Sequence, residues 1–150
     1  MEQFTNAALA ANYLREIWNE RAFEKIDNYL HPDFIDHSLP PGMPKTKAGT
    51  LQWITGTGKA FEHSTEIAAQ VTEGDAAMLK INMRLKHIGT WRNLPATGVE
   101  LTTSGYRYFQ FKEGKIVAHW ALLNAETIEN TIRKNLTDIK SNSHGCEIPQ

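Results

Sequence analysis

Three polar side chains in the second half of the chain could move a proton or bind an anion. Arg107 and His119 lie on neighbouring segments with strand-like patterns, and His87 ends a row in which apolar and polar residues alternate. A histidine titrates near neutral pH, so it can act as a general acid or base. A guanidinium can stabilise an oxyanion or anchor a carboxylate. These three residues are the candidate catalytic groups.

Each of the three also has a purely structural interpretation. His119 and His87 could be core histidines bonded to a backbone carbonyl, and Arg107 could form a salt bridge or lie outward on Trp120. An unpaired buried charge costs on the order of several kcal/mol. An inward Arg107 must therefore meet a carboxylate, carbonyl groups, water or a ligand. The sequence leaves both interpretations open.

Five further side chains could contact a ligand. His37 adjoins a proline-rich loop and could line the entrance of a pocket. Asn124 could present its amide to the pocket, although capping of the last helix also explains it. Trp53, Tyr13 and Trp120 could be flat apolar surfaces for a substrate, with core packing as the alternative.

The register of the last two strands decides which of these groups meet. If residues 112–114 form a three-residue loop, Arg107 lies opposite His119 and diagonal to Ala121, all on one apolar face. If the loop has two residues, Arg107 faces Trp120 instead. The pattern of apolar residues favours the three-residue loop.

Helices are predicted in the first part of the chain, where apolar residues recur every three or four positions. The first spans Asn6–Arg21. A short second helix spans Ala22–Leu30, since Pro32 disfavours helix in the residue before it. Thr46 is expected to cap a third helix that runs to about Phe61.

Beyond His63 the apolar period changes from near 3.6 to 2, which indicates strands joined by short turns. Helices followed by hairpin-linked strands are typical of the α+β class. A final helix is predicted over Ala125–Leu136. The predicted extended segments are Phe34–Ser38, Ser64–Thr72, Ala76–Gly89, Val99–Lys112 and Ile116–Leu123.

Composition indicates one domain over residues 1–140 and a disordered tail over 141–150. The 16 Lys and Arg balance 17 Asp and Glu without clustering, so neither nucleic acid nor a membrane surface is an expected partner. The single cysteine, Cys146, permits no internal disulfide, and the cytoplasm is the expected location. The histidines occur singly on different elements, so no metal is expected. The sequence has no phosphate loop or dinucleotide fingerprint, so no organic cofactor is expected either.

A particular order of segments runs through residues 6–135. A helical first half containing Phe34-Ile35-Asp36-His37 is followed by a glycine-rich third helix and then by three short segments: His87-Ile88-Gly89, Pro95-Ala96-Thr97-Gly98 and the run from Glu113 to Trp120. Together these resemble the SnoaL-like polyketide and ester cyclases. The resemblance implies the cone-shaped, cystatin-like fold of nuclear transport factor 2. In that fold N-terminal helices pack on a strongly curved antiparallel sheet around a hydrophobic pocket, and the outer sheet face forms a homodimer.

The resemblance also implies a reaction and two positions that would carry it. Characterised family cyclases close polyketide methyl esters by an intramolecular aldol reaction, without metal or organic cofactor. The family's carboxylate directly follows the pair His119-Trp120, where this chain has Ala121. The family's histidine, fourteen positions earlier, corresponds to Arg107. The chain thus departs from the cyclase pattern at both positions.

We therefore hypothesise an acid/base enzyme of the cyclase, isomerase or lyase type that binds a small, largely apolar carbonyl compound. In this hypothesis His119 or His87 moves the proton, and Arg107 stabilises the oxyanion or anchors a substrate carboxylate. The alternative is a non-catalytic member of the same fold that binds a hydrophobic ligand or supports a dimer. A fully paired, inaccessible Arg107 favours the alternative, and one that lines the pocket beside a histidine favours catalysis.

Overall fold

Five strands form a single curved sheet, and helices pack on it. The computed structural model describes the backbone of residues 5–146 and the side chains of residues 5–139. The order across the sheet is β1-β5-β4-β3-β2. The predicted α+β class is confirmed. The strands are β1 (Leu30–Asp36), β2 (Phe61–Glu73), β3 (Ala76–His87), β4 (Glu100–Lys112) and β5 (Lys115–Leu123).

The first predicted helix is present, but it changes from an α-helix to a π-helix along its length. Helix α1 spans Asn6–Tyr13, and the chain continues as a wider π-helix over Leu14–Asn19. A 3-10 helix over Phe23–Asn28 follows. Helix α2 spans Lys47–Ala60, close to the predicted third helix, and begins after Thr46.

Strand β1 differs from the prediction in length and direction. It begins at Leu30, which was predicted to end a helix, and it pairs with β5 in parallel. The register shifts between Leu30 and Ile35, so Pro32 lies in an irregular part of an edge strand, where a missing donor is tolerated. The prediction of a wholly antiparallel sheet was therefore wrong for this pair; the other three pairs are antiparallel.

Helix α3 begins at Ala125 as predicted but extends to Cys146, beyond the predicted end at Leu136. The backbone of residues 141–146 thus continues this helix, whereas the tail was expected to begin at Ser141. Residues 147–150 lie outside the described part of the chain.

Both predicted registers of β4 and β5 were wrong. The turn has two residues, Glu113 and Gly114, and both have positive φ (54° and 75°), as a tight hairpin turn requires. A bulge in β5 then shifts the pairing by one residue, so that Arg107 lies opposite Ala121 and diagonal to His119. The prediction that these three residues share one face holds.

The core lies between this inner face and the N-terminal helices. Phe109 is fully buried on β4 and meets Tyr13 of α1 edge to face, with ring centroids 6.0 Å apart. Such packing fixes the helices against the sheet beside the polar groups described next, since His119 on β5 lies opposite Phe109. Other buried members of this core are Leu9, Leu14, Ile17, Leu79, Ile81 and Ile116.

Candidate functional site

Arg107 lies on the inner face of the sheet, between Leu79 of β3 and Ala121 of β5. Only 2% of its surface is exposed. The guanidinium lies over the indole of Trp18, with Cζ 4.4 Å from the ring centroid, a contact that stabilises a cation most where water is excluded. Burial lowers the pKa of Arg107, but a guanidinium still keeps its proton in a protein. Arg107 is thus a buried cation.

His119 connects Arg107 to a buried carboxylate. Nη1 of Arg107 is 3.1 Å from Nε2 of His119, and Nδ1 of His119 is 3.1 Å from Oδ1 of Asp36. The parallel register of β1 and β5 sets Asp36 beside His119. Asp36 also accepts hydrogen bonds from the Ser38 N–H (3.0 Å) and the Thr50 hydroxyl (3.3 Å). We call Arg107, His119 and Asp36 the polar triad.

The hydrogen bonds within the polar triad fix the protonation state of His119. A guanidinium has only donors, so Arg107 donates to Nε2 of His119, which must carry a lone pair. The proton of His119 then sits on Nδ1 and is donated to Asp36. Burial lowers the pKa of His119, which favours this neutral form. His119 therefore positions Arg107, and both of its ring nitrogens are engaged.

Asp36 is the anion that balances the buried guanidinium. Burial alone would raise the pKa of its carboxyl, but the hydrogen bonds from His119 and Ser38 and the charge of Arg107 lower it overall. The carboxylate is therefore ionised at neutral pH, and the triad as a whole carries no net charge.

Arg107 lines a cavity of about 350 Å³ between the sheet, α2 and the start of α3. This volume lies within the range of small-molecule sites. None of the described residues that line the cavity is acidic. Arg92 also lines it, and its guanidinium is paired with Glu129 at 3.4 Å. The cavity therefore suits a small, mainly apolar ligand with an electron-rich oxygen. Much of the wall is aromatic, formed by Trp18, Trp53, Phe61 and Trp91.

His63, which was not among the predicted site residues, also lines the cavity. It lies on the inner face of β2, opposite Leu85, and its ring packs edge-on against Trp18 at a centroid distance of 6.2 Å. Its Nε2 is fully buried and has no hydrogen-bond partner among the described residues. Burial and the charges of Arg21 and Arg107 lower the pKa of His63. The imidazole is therefore neutral at pH 7.

The predicted catalytic histidines lie outside the cavity wall. His119 stands behind Arg107, as described. His87 is fully buried, with Nδ1 3.0 Å from the hydroxyl of Thr97 and its ring against Phe61. This environment matches the core interpretation of His87.

Of the predicted ligand-binding residues, Trp53 lines the cavity. Trp120 is paired with Tyr108 on the outer face, where His37 stacks on it with ring centroids 4.3 Å apart. Asn124 accepts a hydrogen bond from the N–H of Thr127 and so caps α3. Tyr13 packs in the core against Phe109.

One feature of the sequence could have revealed His63. Phe61, His63, Thr65 and Ile67 alternate in the phase of the inner face, but the strand was predicted to begin at Ser64. Asp36 had no such signal, because its contact with His119 depends on a parallel pairing that no local pattern indicated.

The helices packed on a curved five-stranded sheet match the fold of SnoaL-like proteins. The family model of SnoaL-like polyketide cyclases matches residues 8–132, and the chain belongs to this family. Among proteins of curated function, none is significantly similar to the chain.

Solved structures share the fold at low sequence identity. A candidate polyketide cyclase from Acidithiobacillus ferrooxidans is 22% identical, with a TM-score of 0.77 over 90% of this chain and 99% of that one. IdmH, a candidate polyketide cyclase from Streptomyces antibioticus, is 21% identical, with a TM-score of 0.75 over 89% and 99%. AclR, a candidate hydroxylase from Streptomyces galilaeus, is 22% identical, with a TM-score of 0.73 over 87% and 98%. These likenesses show the fold, and the activities named for them differ.

No group of three or more His, Cys, Asp or Glu residues in the described part converges on a point where a metal could bind. None of the described helices combines the length and the apolar character needed to cross a bilayer.

Proposed function

We propose that this protein is a cofactor-independent acid/base enzyme of the polyketide cyclase or isomerase type. It binds a small, largely apolar carbonyl compound in the cavity, and Arg107 stabilises the negative charge that develops on the carbonyl oxygen. Removal of a proton from the carbon next to the carbonyl then gives an enolate, the common intermediate of aldol closure and isomerisation.

The environment of Arg107 is the observation that carries this proposal. No carboxylate among the described residues contacts the guanidinium directly, and Nη1 is the one nitrogen of the guanidinium that has a hydrogen-bond partner among them. Its charge is balanced through the neutral ring of His119 instead. A cation held in this way, beside an apolar cavity, keeps donor capacity for a ligand oxygen and needs little reorganisation when charge develops there.

The alternative is a non-catalytic member that uses the same cavity to bind a hydrophobic ligand. The absence of a carboxylate at Ala121, directly opposite Arg107, favours this alternative. Both functions require ligand binding, so a measurement of turnover must accompany a measurement of binding.

The proposal is tested with 2-tetralone, a bicyclic ketone with acidic protons next to the carbonyl. In D2O the wild type is expected to speed the exchange of these protons, read by mass spectrometry, above the rate in buffer. Arg107→Met keeps an unbranched side chain but removes the donors, and it should lower the rate about 100-fold.

Gly56→Leu is a second variant that leaves the triad intact. An ideal Cβ at Gly56 meets no atom within 4 Å, and the residue lines the cavity, so leucine should fill the space without disturbing α2. Exchange and binding should both be lost in this variant. Binding of the ketone to the wild type without any exchange above buffer would support the non-catalytic alternative.

A further inference from the structure

We infer that His63 is the general base of this site, the group that removes the proton next to the ligand carbonyl. This assignment rests on the proposed function, because it requires the enolate chemistry at Arg107. It differs from the sequence prediction, which placed proton transfer on His119 or His87.

The position of His63 is the first argument. It lines the same cavity as Arg107 but on a different strand, and both side chains pack against the indole of Trp18. The base must reach a hydrogen on the carbon next to the carbonyl group, and the cation must reach the carbonyl oxygen two bonds away in the same ligand. Two groups that share a cavity and an aromatic neighbour meet this requirement.

The bonding of the three histidines is the second argument. Both ring nitrogens of His119 are taken by Asp36 and Arg107, and His87 is bonded to Thr97 away from the cavity wall. Nε2 is sealed from solvent without a partner among the described residues in both His63 and His87, but of the three histidines only His63 is among the described residues that line the cavity. With the proton on the sealed Nε2 of His63, Nδ1 carries the lone pair and is the nitrogen left for a ligand.

The charges around His63 are the third argument. The guanidiniums of Arg21 and Arg107 act on the ring, and together with burial they keep its pKa below the ordinary value of 6.5. The imidazole is therefore in its basic form at neutral pH. A base is useful only in that form, whereas a structural histidine has no such requirement.

The proposed step balances without a co-reactant. Nδ1 of His63 takes the proton from the carbon next to the carbonyl, and the electron pair of that C–H bond becomes the new C=C bond. The carbonyl π pair moves to oxygen, which becomes an enolate beside Arg107. The imidazolium then returns a proton to carbon in exchange or isomerisation, or to the new alkoxide in aldol closure.

Exchange of 2-tetralone in D2O tests the assignment with His63→Gln and His63→Ala. His63→Gln should bind the ketone and fold as the wild type does, but exchange its protons about 100-fold more slowly. The wild-type rate should rise with pH as a group with a pKa below 6.5 loses its proton, and should then level off. His63→Gln should lack this rise of the rate with pH. Added imidazole should restore part of the rate to His63→Ala, because the deleted ring leaves room for it.

His37→Gln is the matched control, because it removes a histidine on the outer face and should leave exchange unchanged. Undiminished exchange in His63→Gln would overturn the role of His63 and leave the function of Arg107 standing. Exchange at the buffer rate in the wild type would overturn the proposed function, and the base with it.

Discussion

At the scale of single residues, the charge of the buried Arg107 guanidinium is balanced by Asp36, an anion that it does not contact. Asp36 balances Arg107 through the ring of His119, so its charge compensates the cation while the guanidinium keeps donors for a ligand. A direct ion pair would have satisfied Arg107 more completely and left less donor capacity at the cavity. In the proposed function, the intervening imidazole is what leaves Arg107 able to bind a ligand.

Asp36→Asn tests this charge balance. The amide keeps the shape of the side chain but leaves Arg107 as an uncompensated buried charge, so the free energy of unfolding should fall by about 3 kcal/mol. Asp33→Asn is the control, since the side chain of Asp33 is 77% exposed and its loss should change stability by less than about 0.5 kcal/mol. Urea unfolding measures both. Equal stability of the two variants would show that Arg107 does not need Asp36.

At the scale of elements, local patterns predicted the type of most segments but not how they pair. The alternation of apolar and polar residues on β3 and β4 correctly predicted that His87 and Arg107 face inward. The predicted partner of Arg107 was wrong because it depends on one bulge residue in β5, which reverses the alternation within the strand so that Ile116 and His119 share the inner face. The prediction that Arg107, His119 and Ala121 share a face was nevertheless correct. The two-residue turn and the bulge together leave these side chains on the same face as the predicted three-residue loop would.

The parallel pairing of β1 was missed for a related reason. Its residues Leu30 to Asp36 include a proline and alternate only weakly, and the partner strand lies more than 80 residues later in the sequence. Without that pairing, Asp36 and His119 could not be recognised as neighbours. The resemblance to the cyclase family gave the fold, but it directed attention to Arg107 and Ala121 and did not indicate Asp36.

Helix α2 offers a matched pair of glycines for a prediction at this scale. Gly56→Ala places a methyl group in open space and should raise the free energy of unfolding by about 0.5–1 kcal/mol, since alanine loses less entropy in a helix. Gly58→Ala should give no such gain, because its Cβ would overlap the guanidinium of Arg21 and displace it. Thermal unfolding compares the two. An equal gain in both variants would mean that Arg21 does not lie over Gly58.

At the scale of the whole molecule, the outer face of the sheet carries an apolar row across four strands. Val71 pairs with Met78, Met78 with Tyr108, and Tyr108 with Trp120. Leu122 lies beside this row and is 74% exposed. Exposed apolar surface of this extent is typical of an interaction site. We propose that a second copy of the chain covers it, in line with the homodimer that the family resemblance implies.

Leu122→Lys tests the proposed dimer. A lysine here would be buried without a partner at the interface, so the variant should sediment as a monomer where the wild type sediments as a dimer. Ile139→Lys is the control: it replaces an exposed apolar residue of α3 and should leave the dimer intact. A monomeric wild type at micromolar concentration would contradict the proposal.

Ionisation of bound 2-naphthol measures most directly whether the cavity stabilises an oxyanion beside Arg107. Naphthol has the ring frame of the 2-tetralone enol, and its absorption and fluorescence report the loss of the hydroxyl proton. An apolar cavity alone would raise the pKa of the bound hydroxyl, whereas a nearby guanidinium would lower it. We predict that bound naphthol ionises roughly one to three pH units below free naphthol in the wild type, and that Arg107→Met removes the shift. A bound naphthol that ionises at the same or a higher pH than free naphthol would contradict the proposed role of Arg107.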